Sequence, residues 1–268
     1  MNEMARNVII SVVACVLIVE YSAFGIPYIQ YREAVSLQEA GKYIEAYDAF
    51  LAMDGYKDSA QRAKDIFEEY KAEKFKNPVV GDILYFGKYE QDNDLSNGPE
   101  DIEWVVLDIV DGKALVISQC GLDAKPYHDT FQPVTWQDCS LRSWLNSEFW
   151  NTAFSGDEQA RILTTTVADT RNEELITEDK VYLLSYAELE HYMDDPDSRR
   201  RDATAYAAAH GGFVNSYNGH CWWWSRTATG AGDLTATVDA YGDLEKFGSR
   251  VTDNSVSVAP AMWIQLDK

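Results

Sequence analysis

The sequence predicts an α+β domain carried on a short helical stalk and preceded by a transmembrane helix. Three observations predict it: an apolar run near the N-terminus, helical spacing of apolar residues up to Asn77-Pro78, and strand-like patterning with inserted helices beyond it. Charge divides the chain at the same place. Residues 1–77 hold 9 basic and 12 acidic side chains, a net charge of −3, whereas residues 78–268 hold 14 and 32, a net charge of −18. All 8 Trp lie in the second part, which is therefore the expected working domain. With 46% apolar residues the chain can bury a core, and a total charge of −21 disfavours nucleic-acid backbones as partners. The dense basic run Arg199-Arg200-Arg201 is flanked by Asp194, Asp195, Asp197 and Asp202, and reads as a solvated, self-neutralised loop.

Residues 1–30 are read as a membrane anchor or signal-anchor. The apolar run VIISVVACVLIV at 8–19 is short for a span, but residues 7–29 reach the necessary length if Glu20 sits near an interface. This reading implies a single-pass protein with its C-terminal domain outside the cytoplasm. The VVAC at 12–15 resembles a lipobox, although VLIV after Cys15 stands where a polar tether is usual, so a retained anchor is preferred over lipidation. Residues 31–77 carry apolar positions at helical spacing, among them Ala34, Leu37, Tyr43, Ala46 and Phe50, with breaks at Gly41 and Asp54-Gly55. Two or three short helices are expected. The pattern from Ala34 to Phe50 resembles one tetratricopeptide-type hairpin, and a single copy reads as a spacer rather than a peptide-binding repeat.

In residues 78–268, ILYF at 83–86 and IEWVVLDIV at 102–110 read as strands, and Asp111-Gly112 before KALVIS at 113–118 reads as a tight hairpin. Leu141, Trp144, Leu145 and Phe149 form the stripe of an amphipathic helix, and Ser155 with Glu158 forms a capping box for another. KVYLLS at 180–185 reads as a strand, residues 186–193 and 204–210 as helices, and 220–226, 234–241 and 256–266 as strands again. The segment 227–248, rich in Gly, Thr, Asp and Tyr, has the composition of adaptable surface loops.

Several ordered blocks carry a resemblance: GDILYFGKYEQ at 81–91, IEWVVLD at 102–108, LRSWLN at 141–146, NTAF at 151–154, VYLLS at 181–185, CWWWSR at 221–226 and APAMWI at 259–264. Together they resemble the bacterial domain-of-unknown-function family 6273 over residues 80–266, with GYKDS at 55–59 included from the spacer. The last two blocks are also similar to the closing strands of C-type-lectin-like folds, including formylglycine-generating enzymes. That similarity implies a C-type-lectin-like α+β domain, here with Ala259 where the pattern has arginine and Ser225 where it has leucine.

No catalytic constellation is singled out. There is no nucleophile elbow, no short-spaced cysteine pair near the closing strands, and no carboxylate pair marked by spacing. No cofactor is expected. His210, His220 and Cys221 lack compact zinc spacing. Asp92, Asp94, Ser96 and Glu103 imitate a calcium loop with its glycine one position late, and a turn-rich hairpin is the preferred reading, so no metal is assigned. Cys120 and Cys139 admit two readings, a disulfide or buried free thiols. The Trp222-Trp223-Trp224 run places Trp222, Trp224 and Arg226 on one strand face, offering an aromatic platform; these three with Asp233, Asp239, Tyr241 and Asp243 are the candidate ligand contacts. The expected function is a non-catalytic recognition module for a cell-wall glycan or surface protein. The alternatives are an enzyme of unidentified chemistry and a structural module of the envelope.

Overall fold

A computed structural model describes residues 26–168, 176–230 and 232–267. The chain divides into two compact units, Met1–Asn77 and Pro78–Lys268. Residues 1–25, which hold the apolar run and Cys15, lie outside the described residues. Among the described residues no helix is long and apolar enough to cross a membrane.

The first unit contains four described helices, α1 (Ile26–Glu39), α2 (Tyr43–Leu51), α3 (Ser59–Asp65) and α4 (Phe67–Lys76). Gly41 and Gly55 break the chain at positive φ of 71° and 77°. Ala34, Ala46 and Phe50 are fully buried and Ala63 and Ile66 nearly so, which brings α1, α2 and α3 onto one small core. Small residues at the helix crossings let the backbones approach, and Phe50 fills the centre.

The second unit is a mixed α+β structure built on largely antiparallel sheets, with one parallel pair of strands. β1 (Ile83–Tyr89), β2 (Glu100–Val110), β3 (Lys113–Ser118) and β11 (Ala261–Gln265) form one sheet in the order β1-β2-β3-β11. The β2–β3 turn has Asp111 at φ 51° and Gly112 at φ 74°, the two positive values that a tight hairpin with strand-matching twist requires. A second sheet has the order β4-β10-β7-β8-β9, with β4 (Asp123–Ala124), β10 (Ser257–Val258), β7 (Trp223–Thr229), β8 (Leu234–Val238) and β9 (Leu244–Arg250); the parallel pair is β10 with β7. β5 (Thr165–Ala168) and β6 (Ile176–Asp179) pair separately.

Between the strands lie α5 (Ser140–Trp144), one π-helical turn (Leu145–Phe149) and α6 (Trp150–Ala153), which run on continuously, then α7 (Gly156–Arg161). The capping box of α7 forms as the sequence predicts, Ser155 and Glu158 each satisfying the other's backbone N–H. α8 (Tyr186–Tyr192), α9 (Pro196–Arg199) and α10 (Ala205–Ala209) complete the helices of this unit among the described residues. Trp104, Trp136, Trp223, Trp224 and Phe149 are at most 1% exposed. Each such ring removes roughly 150–250 Å² from water, worth up to about 4–6 kcal/mol before entropy is counted.

Three expectations are corrected. Residues 180–185 do not form a strand: Asn146 Oδ1 accepts from the Lys180 and Val181 N–H groups at 2.8 and 3.2 Å, Asn146 Nδ2 donates to the Val181 carbonyl, and Tyr182 makes a lone bridge to Ala261. In the 227–248 segment the strand expected over 234–241 forms as β8, but the residues read as surface loop on either side of it supply the end of β7 and most of β9. The arginine run is not solvated, since Arg199 and Arg201 are 7% and 4% exposed and donate to backbone carbonyls. The two closing motifs lie in different sheets, β7 in one and β11 in the other.

A break in β1 sets the course of its last residues. The register against β2 shifts between Tyr85 and Lys88, at Gly87, whose φ is 72°. A Cβ there would lie 2.5 Å from Phe154 Cε1 and 2.8 Å from the Ala153 carbonyl. Gly87 N–H also donates to Glu158 Oε1 at 2.8 Å. The bulge therefore seats β1 against the end of α6 and turns the strand before Tyr89. Gly87→Ala is expected to destabilise the protein by at least about 2 kcal/mol, through the strained φ and the clash. Urea unfolding of the variant against the parent measures this.

Candidate functional site

Where β1 ends, the 90–99 loop begins, and it is built from self-bonded turns. Asp92 Oδ1 accepts from Asp94 N–H at 2.7 Å, Asp94 Oδ1 from Ser96 N–H at 3.1 Å, and Asp92 Oδ2 from Asn97 Nδ2 at 2.7 Å. Glu100, the first residue of β2, accepts through Oε2 from the N–H groups of Gln91 and Asp92. The calcium arrangement imagined over Asp92–Glu103 is not assembled, because the Asp92 and Asp94 carboxylates are taken up in closing the loop. The carboxylates that do converge are Glu90, Asp92 and Glu100, with oxygens all within 4.8 Å of one another.

This loop borders two hollows. One, of about 310 Å³, is lined by Tyr89, Glu90, Leu95 and Pro99 from the loop side, by Trp144, Glu148, Phe149 and Thr152 from the π-turn helix, and by Tyr206 of α10. The other, of about 410 Å³, is lined by Gln91, Asp92, Glu100, Asp101, Glu103, Gln119, Cys120 and Thr204. Helix α10 is tied to the loop by Tyr206 N–H donating to the Gln91 carbonyl at 3.0 Å, and Thr204 caps the same helix. A concave surface with apolar walls and a few converging polar groups is the usual form of a binding site. The π-helical turn in its wall is a feature often found at such places.

The aromatic walls are locked from behind. Tyr89 donates its hydroxyl to the buried Asp123 at 2.8 Å, and its ring packs on Phe149 at 5.3 Å and edge-on to Tyr206 at 5.8 Å. Lys125 pairs with Asp123 at 3.5 Å and lies 4.8 Å from the centroid of Trp144. Burial first and Asp123 second push the Tyr89 phenol far up, and burial likewise raises Tyr206, so both rings stay neutral. Burial, then the charges of Glu100 and Asp92, raise the Glu90 carboxyl. Asp92 is held below the usual range by Asn97 and the Asp94 N–H. Two polar atoms bordering the first hollow are buried without a hydrogen-bond partner, Glu90 Oε1 and Trp144 Nε1.

The seven candidate contacts read from the sequence are placed elsewhere, and none lines either hollow. Trp224 is not part of a platform: it is fully buried and donates Nε1 to the Lys125 carbonyl at 2.8 Å. Arg226, 6% exposed, donates to both oxygens of Glu188 and to the Leu183 carbonyl, and so holds the start of α8 to β7. The simple alternation expected there fails because residues 223–226 are buried on both faces of β7. Trp222 stays partly exposed, edge-on to Phe213 at 6.3 Å. Asp239 accepts from the N–H groups of Tyr241 and Asp243 and so shapes the β8–β9 turn, on which both are exposed; Asp233 lies at the start of β8. Cys120, Cys139 and Cys221 are all free thiols, and Cys139 instead caps α5 by accepting from Arg142 N–H. Burial pushes Cys120 up to about 11 and Cys139 and Cys221 up to about 12.

Residues 111–266 match the family model described as Domain of unknown function (DUF6273). The chain belongs to this family. No curated protein and no solved structure matches it. The DUF6273 match includes Trp144, Glu148, Tyr206 and Cys120 and begins after β2, so the acidic loop is contributed by residues preceding it.

Two outcomes test this geometry. Because the native pKa of Glu90 is raised, folding is opposed by its ionisation, fully above the native pKa and not at all below the ordinary glutamate value. Glu90→Gln should therefore raise the thermal midpoint at neutral pH, and the gain should vanish as pH falls through that interval. Arg226→Met leaves Glu188 without its cation and should cost about 3 kcal/mol, seen in urea unfolding.

Proposed function

We propose that residues 78–268 act as a non-catalytic recognition domain whose ligand sits in the cleft between the 90–99 loop, the π-turn helix and α10. The observation that carries this is the cleft itself: neutral aromatic walls, a carboxylate rim and two unpartnered polar atoms, beside a thiol held at about 11. A nucleophilic cysteine needs a lowered pKa, and Cys120 has the opposite. The finer reading of the fold as C-type-lectin-like rests on the motifs at 221–226 and 259–264, and an experimental structure compared with lectin-like domains tests it.

The proposed setting is the outer face of a membrane, with residues 7–29 as anchor and residues 31–77 as spacer. Support comes from the apolar run at 8–19 and from the net charge of −18 beyond residue 77, which favours solubility and repels anionic surfaces and nucleic acid. A cell-wall glycan or a surface protein is the proposed partner. The enzyme alternative draws on one observation, the raised carboxyl of Glu90 beside Tyr206, a combination also suited to a general acid.

The deciding experiment presents the full chain to panels of glycans and surface proteins and maps any binding by hydrogen exchange. Protection is expected in residues 90–100 and 144–152, with at least a tenfold loss of affinity in Trp144→Ala and little change in Trp222→Ala. Turnover of a bound compound would convert the assignment to an enzyme, and protection confined to Trp222 and the β8–β9 turn would move the site. Fractionation with outside protease checks the setting: a membrane-bound chain whose residues 78–268 are cleaved from outside is expected, and a protected or unattached domain would overturn it.

A further inference from the structure

We infer that the ligand of this cleft carries an organic ammonium group, seated against Glu90 among the rings of Trp144 and Tyr206. The inference rests on the cleft being a binding site, and it concerns what chemistry that site accepts. Among the described residues, the two hollows are lined by six carboxylates, Glu90, Glu148, Asp92, Glu100, Asp101 and Glu103, and by no Lys, Arg or His. Of the nearby cations, Lys88 pairs with Asp101 in the lining of the second hollow at 3.1 Å, and Lys125 pairs at 3.5 Å with Asp123, which lines neither.

The carboxylates are not equivalent. Asp92 accepts from Asn97 and from Asp94 N–H, and Glu100 from two backbone N–H groups, whereas Glu90 meets the Asn93 N–H and the Asp92 carboxyl but keeps its Oε1 buried without a hydrogen-bond partner. A buried acceptor without a donor costs free energy that a charged donor from outside would recover. The walls favour an organic cation over a metal ion. Aromatic faces attract ammonium groups, and the Trp144 ring already holds one, Lys125 Nζ, at 4.8 Å from its centroid. A metal ion would leave the rings unused and would compete with the N–H groups that already hold Asp92 and Glu100. Trp144 Nε1 adds a requirement, since it is a buried donor and an ammonium offers it no acceptor. The ligand therefore also carries a carbonyl or hydroxyl oxygen.

The test is calorimetric titration of the full chain with Nα-acetyl-lysine N-methylamide, its uncharged norleucine counterpart, cadaverine, calcium chloride and chitotriose. The lysine derivative is expected to bind at least ten times more tightly than the norleucine one, more weakly as salt is raised, and at least ten times more weakly to Glu90→Gln. The thermal midpoint of that variant certifies its folding. Cadaverine binding as well as the lysine derivative supports a free amine as the source, and preference for the lysine derivative supports a peptide side chain. Equal binding of the norleucine counterpart, or binding of calcium alone, overturns the inference. Chitotriose binding that Trp144→Ala abolishes, with no amine binding, overturns it but leaves the recognition reading standing, and silence from every probe likewise overturns the inference alone, the recognition reading failing only if the glycan and surface-protein panels are silent too.

Discussion

The seating of a bulged strand against an aromatic helix end is the constraint on which the candidate site depends. Gly87 alone has no side chain to collide with Phe154, and its N–H reaches Glu158 at the start of the next helix. Phe154 in turn packs on Phe86, Trp104 and Phe149. Once β1 is held there, Tyr89 meets Phe149 and Tyr206, and its neighbour Glu90 is delivered to the rim. The cleft is thus an outcome of core packing. Its aromatic walls are the outward parts of rings whose inner edges help fill the core.

Electrostatics gives that packing a direction. Most of the 32 acidic side chains of residues 78–268 lie outside the hollows and serve solubility. Six of them line two adjoining hollows without a basic residue among the described lining. Elsewhere the same domain pairs its charges carefully: Arg226 with Glu188, Arg142 with Asp179 at 2.7 Å, and the buried Arg199 with backbone carbonyls. Against that habit, Glu90 stands out: the Asn93 N–H is its one favourable contact, while burial and the charges of Glu100 and Asp92 oppose its ionisation and its Oε1 has no hydrogen-bond partner. A site kept at some cost to stability is the ordinary signature of binding.

Much of the architecture was legible in the sequence, and the reasons are local. Asp111-Gly112 specifies its turn through backbone conformation alone, and Ser155 with Glu158 specifies a cap through two nearby hydrogen bonds. Those devices survive any tertiary context. Residues 180–185 misled because β-branched and aromatic composition cannot tell a strand from a buried extended segment bonded to the Asn146 side chain. Residues 223–226 misled because period-two reasoning assumes one solvated face, whereas β7 is covered on both. Trp144 carried the right signal for the wrong purpose: it fits the helical stripe with Leu141, Leu145 and Phe149, but the sequence does not say that this ring closes a hollow formed with a loop 45 or more residues earlier. The carboxylate grouping was equally hidden. Glu90 and Glu100 come together only because β1 and β2 pair, with Tyr89 opposite Glu100.

The most direct measurement uses the indole N–H resonances of the tryptophans. Those of Trp104, Trp136, Trp223 and Trp224 donate to the Phe86 carbonyl, Asp179, the Arg199 carbonyl and the Lys125 carbonyl, whereas that of Trp144 has no partner. On titration with a bound ligand, the Trp144 indole signal is predicted to move while those four remain in place. A ligand that shifts Trp222 and leaves Trp144 unchanged would contradict the placement of the site in this cleft.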